Sequence, residues 1–263
     1  MARTAGVELT VNTDQGSRAR VIYLGVPTFG WVSIRWHAHL MQLQSPLNRS
    51  VFHAYGQGFE VGQARNYLVQ QALEWTNDHG HTVSHVFFVD DDVLVPPYAL
   101  AVLLSRQRPI VSGLYYAKTP APQPLILMEP HGGTLIDVPR NQVVECFAHG
   151  MGCTLIELRV FRELLEAGLV PYESFGAQRL PQFFKTSRDQ LSQAAGGAPI
   201  IANETEDVHF LKLAAQLGYT GAVDTGVFCF HWDEKGKVGY PLHLWEEFQR
   251  VGNVTIGAEA VPA

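Results

Sequence analysis

His85-Val86-Phe87-Phe88-Val89-Asp90-Asp91-Asp92-Val93-Leu94-Val95-Pro96 is the stretch on which the fold turns. An apolar run leads straight into three carboxylates. Short unbroken apolar runs mark strands buried on both faces, as in parallel sheets. Towards the N-terminus, Val21-Ile22-Tyr23-Leu24-Gly25-Val26 before Pro27 is a second such run. Val51-Phe52-His53-Ala54-Tyr55, stopped by Gly56-Gln57-Gly58, is a third. Helical stretches separate them, from near Trp31 to Gln44 and around 60–77. In the second, Ala64, Leu68, Ala72 and Trp75 recur at helical spacing. The order β-α-β-α-β predicts a doubly wound α/β domain with a mixed, mostly parallel sheet flanked by helices. Ligands of such sheets bind beyond the carboxyl ends of the strands. The acidic triplet is expected there.

Towards the C-terminus the pattern mixes. A helix at 97–105 leads to Ile110-Val111-Ser112-Gly113. Short strands are expected between Leu125 and Ile156, with Gly132-Gly133 as a turn. A helix over 159–167 ends at Gly168. Residues 186–199 are small and polar and read as a flexible loop, able to order over a bound ligand. A helix over 206–217, strands at 219–223 and 227–230, and a helix at 241–250 complete the chain. No repeat or linker divides it. One domain over 20–252 is expected, with a mobile arm at 1–19 and a frayed tail at 253–263.

The composition agrees. With 263 residues the chain can bury a core without disulfides. Hydrophobic residues at 46% and charged residues at 17% exclude disorder. A net charge of −6 argues against a surface that grips nucleic acid or anionic lipid throughout. No apolar run approaches the ~20 residues of a membrane span, and Met-Ala-Arg-Thr-Ala-Gly-Val-Glu lacks the apolar core of a secretory signal. Cys146, Cys153 and Cys229 are too few and scattered for a disulfide framework, so a cytoplasmic setting is expected.

Three adjacent carboxylates repel one another. In extended chain Asp90 and Asp92 share a face, roughly 6.5–7 Å apart at Cα. A divalent cation relieves that repulsion, and hard oxygen donors suit Mg²⁺ or Mn²⁺. Read alone, Asp-Asp-Asp is also an ordinary solvated turn after a strand. Thr205-Glu206-Asp207 reads as a helix start, with Thr205 as N-cap and the acids favoured by the helix dipole. His231 closes the apolar run Val227-Phe228-Cys229-Phe230, where an imidazole can reach beyond the sheet edge or simply fill it. A Gly-x-Gly-x-x-Gly fingerprint fails at Gly56-Gln57-Gly58 because Val61 stands where the third glycine belongs. Walker A, Gly-x-Ser-x-Gly and His-Glu-x-x-His sequences do not occur.

Taken together, Asp90-x-Asp92, Glu206-Asp207 about 115 residues later and His231 about 24 further on resemble the pattern of GT-A glycosyltransferases, in particular the family-2-like nucleotide-sugar transferases. Other segments are similar in the same order. They are Val26-Pro27-Thr28, Gln63-Ala64-Arg65-Asn66, Gly150-Met151-Gly152-Cys153-Thr154-Leu155-Ile156 with Arg159-Val160-Phe161, and Pro181-Gln182-Phe183-Phe184. The resemblance implies a GT-A fold and transfer of a sugar from a UDP- or GDP-sugar to an acceptor hydroxyl on a glycan, small molecule or modified nucleic acid. It implies Mn²⁺ or Mg²⁺ held by Asp92, Asp90 and His231. Pro27, Thr28, Arg65, Asp90, Asp91 and, on a later loop, Lys235 and Lys237 would bind the donor. Gly150, Gly152 and Phe183 would lie on the acceptor side. Asp207 would take the acceptor proton in an inverting enzyme, or bind and orient in a retaining one, with Glu206 assisting. A nucleotidyltransferase, or a non-catalytic nucleotide- or sugar-binding module of the same fold, are the competing readings. The first favours a Gly-rich, basic first loop, unlike Pro27-Thr28-Phe29-Gly30-Trp31.

Overall fold

The apolar run that opens the reading does form a buried strand. The computed structural model describes residues 20–47, 49–78, 82–130, 133–176, 178–193 and 199–255. The arm 1–19, tail residues 256–263 and Gly132 of the expected turn lie outside the described residues. The first half contains β1 (Arg20–Thr28), α1 (Ile34–Met41), β2 (Arg49–Gln57), α2 (Val61–Asp78), β3 (Thr82–Val89), β4 (Val93–Leu94) and α3 (Ala99–Ser105). After these come β5 (Ile110–Leu114), β6 (Ile126–Leu127), β7 (Val143–Cys146), β8 (Ala148–His149), β9 (Cys153–Glu157) and α4 (Leu158–Glu166). The chain continues through β10 (Tyr172–Phe175), β11 (Gln178–Pro181), β12 (Ser187–Gln193), β13 (Pro199–Glu204) and α5 (Glu206–Ala215). It closes with β14 (Gly221–Phe228), β15 (Phe230–Asp233), β16 (Val238–Tyr240) and α6 (Leu242–Thr255).

Seven strands form the central sheet in the order β2-β1-β3-β9-β5-β14-β7. β2, β1 and β3 are parallel, as are β5 and β14. β9 runs antiparallel to both β3 and β5, so all five parallel strands point one way. β7 is antiparallel at the far edge. Side chains alternate across the sheet as a period of two requires. On β3, Val86 and Phe88 face one layer while Phe87 and Val89 face the other. The first layer holds Leu68 and Ala72 of α2, Phe161 and Leu164 of α4, and Phe210 of α5. The second holds Trp36 and Leu40 of α1, Leu100 and Leu103 of α3, and Trp245 of α6.

An aromatic cluster locks the first layer. Phe184 and Phe210 stack at 4.7 Å, Phe88 meets Phe184 edge-on at 5.5 Å, and Phe161 meets Phe183 at 5.0 Å. Buried Asn66 on α2 fixes this stretch: its amide donates to the Phe184 carbonyl (2.8 Å) and accepts from the Phe184 N–H (2.9 Å). Phe183, expected on an acceptor face, is fully buried in this core instead.

Several expectations need correction. Residues 186–199 do not form a plain loop. β12 and β13 pair antiparallel, and residues 194–198 lie outside the described residues. Backbone hydrogen bonds alone can build such a ribbon, so its polar composition hid it. The two strands expected at 219–223 and 227–230 are one long strand, β14, followed by β15. Asp224 and Thr225 resemble a turn in sequence, yet both are buried. Arg106 Nε reaches Asp224 at 2.6 Å, the Gly226 N–H donates to Asp224 at 2.9 Å, and Thr225 exchanges hydrogen bonds with Gln142. Satisfied in this way, polar residues sit inside a sheet. α6 extends to Thr255, beyond the expected boundary at 252.

Replacing Phe210 by Ala empties the centre of the aromatic cluster. It should cost ~3–5 kcal/mol in urea-induced unfolding. Stability should also fall in acid. Burial first, and the Arg49 guanidinium second, push His85 down to about 4, with Glu157 opposing and Arg20 assisting. The unfolded imidazole titrates near ~6.5. Between these values the unfolded chain takes up the proton first, so stability drops as pH falls from about 6.5 to about 4. The drop should be on the order of 2–3 kcal/mol. His85→Asn should flatten that part of the pH–stability curve.

Candidate functional site

Parallel β1 and β3 lie side by side, so their carboxyl ends open on the same rim of the sheet. There Pro27, Thr28 and Phe29 of one face Asp90, Asp91 and Asp92 of the other. With Phe59, Val61 and Ala64 they enclose a cleft of about 180 Å³. The loop leaving β1 exposes Phe29 and Trp31 beside it.

The triplet is not extended. The Val93 N–H donates to the Asp90 carbonyl at 3.0 Å, closing a turn that sends each carboxylate to a different partner. Asp90 does not share a face with Asp92 as an extended chain would require. It turns inward to Arg65, whose Nη2 lies 2.6 Å from Asp90 Oδ1. The other terminal Arg65 nitrogen, Nη1, pairs with Glu206 at the start of α5. Arg65 is 1% exposed. Its sequence reading as a donor contact is therefore corrected: the guanidinium lies beneath the cleft and joins the two acidic clusters. Burial and then Asp90 and Glu206 decide its state, and the two acids hold it firmly charged. Burial pushes both Asp90 and Glu206 up, with Arg65 opposing.

Asp91 lies under the Thr28 hydroxyl, which donates to it; burial nonetheless raises its carboxyl. Asp92 faces the opposite wall. His231 Nε2 lies 3.4 Å from Asp92 Oδ2. His231 Nδ1 is 2.9 Å from the Tyr116 carbonyl, so it carries the proton and donates there. The Tyr116 carbonyl thereby holds the ring with Nε2 turned towards Asp92. A backbone carbonyl orienting the far nitrogen is the usual support of a ligating histidine. The Lys118 ammonium already sits on Asp92 Oδ2 at 2.5 Å. Burial raises the Asp92 carboxyl, but His231 and Lys118 outweigh it and bring it down to about 2. Among the described residues no three His, Cys, Asp or Glu side chains make a ready metal cage. One carboxylate and one imidazole suit Mn²⁺ or Mg²⁺ only as an open site completed by waters and ligand phosphates.

Glycine is obligatory behind the triplet. The Asp90 N–H donates to the Gly152 carbonyl at 3.0 Å, and the Gly152 N–H donates to the Tyr115 hydroxyl at 2.8 Å. A Cβ on Gly152 would lie 2.9 Å from Asp90 Oδ2 and 2.8 Å from Val93 Cγ2. A Cβ on Gly150 would collide with the Tyr115 hydroxyl. Asp207 stands in the first turn of α5. Thr205 occupies the N-cap position, but its hydroxyl donates to Asp207 Oδ1 rather than capping the helix. The Val208 N–H donates to the same oxygen at 2.8 Å. The other Asp207 oxygen has no hydrogen-bond partner among the described residues.

The structure thus brings Asp90, Asp92, Glu206, Asp207 and His231 to one region, with Pro27 and Thr28 lining it. Lys235 and Lys237 stay apart on the exposed turn between β15 and β16, where Lys237 pairs with Glu234. Tyr115 and Lys118 escaped the sequence reading because they follow β5 in a segment with no periodicity or motif. The only signal was a lysine near a lone strand end.

Arg65→Met should leave two partly buried carboxylates without their shared cation. A loss of ~3–5 kcal/mol is expected in denaturant unfolding at pH 7. The loss should shrink towards pH 5, where those carboxyls protonate more readily.

No protein-family model matches the chain, and no curated protein sequence matches it. Among solved structures the chain is similar to A197 from STIV, at 16% identity, over 82% of this chain and 87% of that one, with a TM-score of 0.49.

Proposed function

We propose that the protein is a GT-A-type glycosyltransferase that moves a sugar from a nucleotide diphosphate to an acceptor hydroxyl. One observation carries the reading: Asp92 and His231 meet at the rim of a cleft, with Nε2 3.4 Å from Oδ2, and Arg65 ties the same rim to the helix that bears Asp207. Those groups are far apart in sequence; the antiparallel pairing of β15 with β4 brings His231 beside Asp92.

Asp92 and His231 would hold the divalent ion, which when bound supplies positive charge to the leaving diphosphate. Pro27, Thr28 and Asp91 line the cleft on the donor side. The Lys118 ammonium offers a second positive charge at the phosphates. Asp207 acts as base through its unpartnered oxygen, which accepts the acceptor's hydroxyl proton. That hydroxyl oxygen attacks the anomeric carbon, the bond from that carbon to the diphosphate oxygen breaks, and the electron pair leaves on the diphosphate. Thr205 and the Val208 N–H fix the Asp207 carboxylate for this role, while Arg65 and Glu206 position α5 rather than touch substrate. Direct attack of this kind inverts the anomeric centre, which NMR of the product reads.

Asp92→Asn should abolish the Mn²⁺-dependent part of UDP or GDP binding measured by calorimetry. Equal affinity with and without Mn²⁺ in the native protein would overturn the scheme. Asp207→Asn should leave diphosphate affinity within about twofold and lower transfer by roughly 10²–10⁴.

A further inference from the structure

At the opposite end of the sheet, roughly 20 Å from the acidic cleft by the rise along β3, lies a larger cavity of about 640 Å³. Four arginines line it: Arg20, Arg49, Arg159 and Arg162. The chain as a whole carries a net charge of −6. Glu157 is the one acid on the cavity wall, and it is taken by Arg159.

Each placement is unfavourable in isolation. Arg20 and Arg49 are direct partners across adjacent parallel strands, so their side chains leave the same face a strand spacing apart. Like charges so placed are destabilising. Arg49 reaches past β1 to the Ser84 hydroxyl on β3, at 2.9 Å, and has no carboxylate partner among the described residues. Arg20 and Arg162 likewise have no ion-pair partner among the described residues. Arg159 sits in the first turn of α4, at the positive end of the helix, where cations are disfavoured, and Arg162 follows in the next turn. Consistently, burial and the neighbouring Arg20 make the Arg49 guanidinium harder to keep charged. His85, with Nδ1 2.9 Å from the Ser84 hydroxyl, adds a neutral hydrogen-bonding group to the wall. Folded chains keep such local conflict where a ligand resolves it.

We infer that this cavity is a binding site for a phosphoryl group carried by a small molecule, gripped by the forks of Arg20 and Arg49 with Arg162 closing from α4. Guanidinium forks match phosphate oxygens two at a time. One dianionic group would turn the Arg20–Arg49 repulsion into shared attraction. A concave pocket in an acidic protein suits a compact anion better than a nucleic-acid strand, which needs an extended basic track.

The test is calorimetry of the full chain with inorganic phosphate and pyrophosphate, in chelator so that no divalent ion loads the acidic cleft. Pyrophosphate should bind, and more weakly as salt rises. Arg49→Ala, and separately Arg162→Ala on an exposed helix position, should each weaken it at least tenfold. Arg49→Lys should weaken it too, because the fork is lost while the charge stays. Asp92→Asn should leave it unchanged. No heat and no thermal shift at about 10 mM pyrophosphate would overturn the inference. So would an affinity equal to the native protein's in both Arg49→Ala and Arg162→Ala. A single-stranded oligonucleotide that binds through Arg49 while pyrophosphate does not would also overturn it. None of these outcomes touches the transferase reading, whose test depends on metal.

Discussion

Arg65 is the constraint on which the rim of this molecule depends. A guanidinium with almost no exposure is tolerable only with anionic partners on its nitrogens. It has two, Asp90 after β3 and Glu206 opening α5. These come from opposite halves of the chain, so the ion triad fixes where α5 stands relative to the strand end. Sharing one guanidinium, Asp90 and Glu206 can approach each other at lower cost than two unpaired carboxylates would. Asp91, Asp92 and Asp207 lie outside this triad, with Asp92 meeting Lys118 and His231 instead.

Most of the frame was legible because it follows from burial periodicity. Val86 to Val89 sends alternate side chains to two different helix layers, and only a strand inside a sheet needs apolar groups on both faces. The helices at α2 and α5 followed from the same logic. Sheet order was less accessible. β9 inserts antiparallel between β3 and β5, and nothing local in Cys153 to Glu157 says between which strands it lies. β14 was misread because Asp224 and Thr225 carry turn chemistry, which Arg106 and Gln142 cancel from distant parts of the chain.

The site was legible by residue type more than by partnership. Asp92 and His231 were expected together and stand together. Asp90 was expected on the same ion, an expectation built on extended backbone that the Asp90–Val93 turn replaces. Arg65 and Phe183 were expected to face a ligand and are interior. An arginine on a helix carries no mark in sequence of whether it points out or in. The decisive information is the location of Glu206, about 140 residues away.

The ammonium on Asp92 gives the rim an occupant of its own. On the proposed function, loading a divalent ion there would be an exchange of counter-ions rather than an addition to a vacant seat. The displaced lysine is tethered by backbone to Tyr116, whose carbonyl steadies the imidazole on the other side. Arrival of such an ion and release of that side chain would then belong to a single local rearrangement, because the segment after β5 carries both the lysine and the carbonyl on the imidazole.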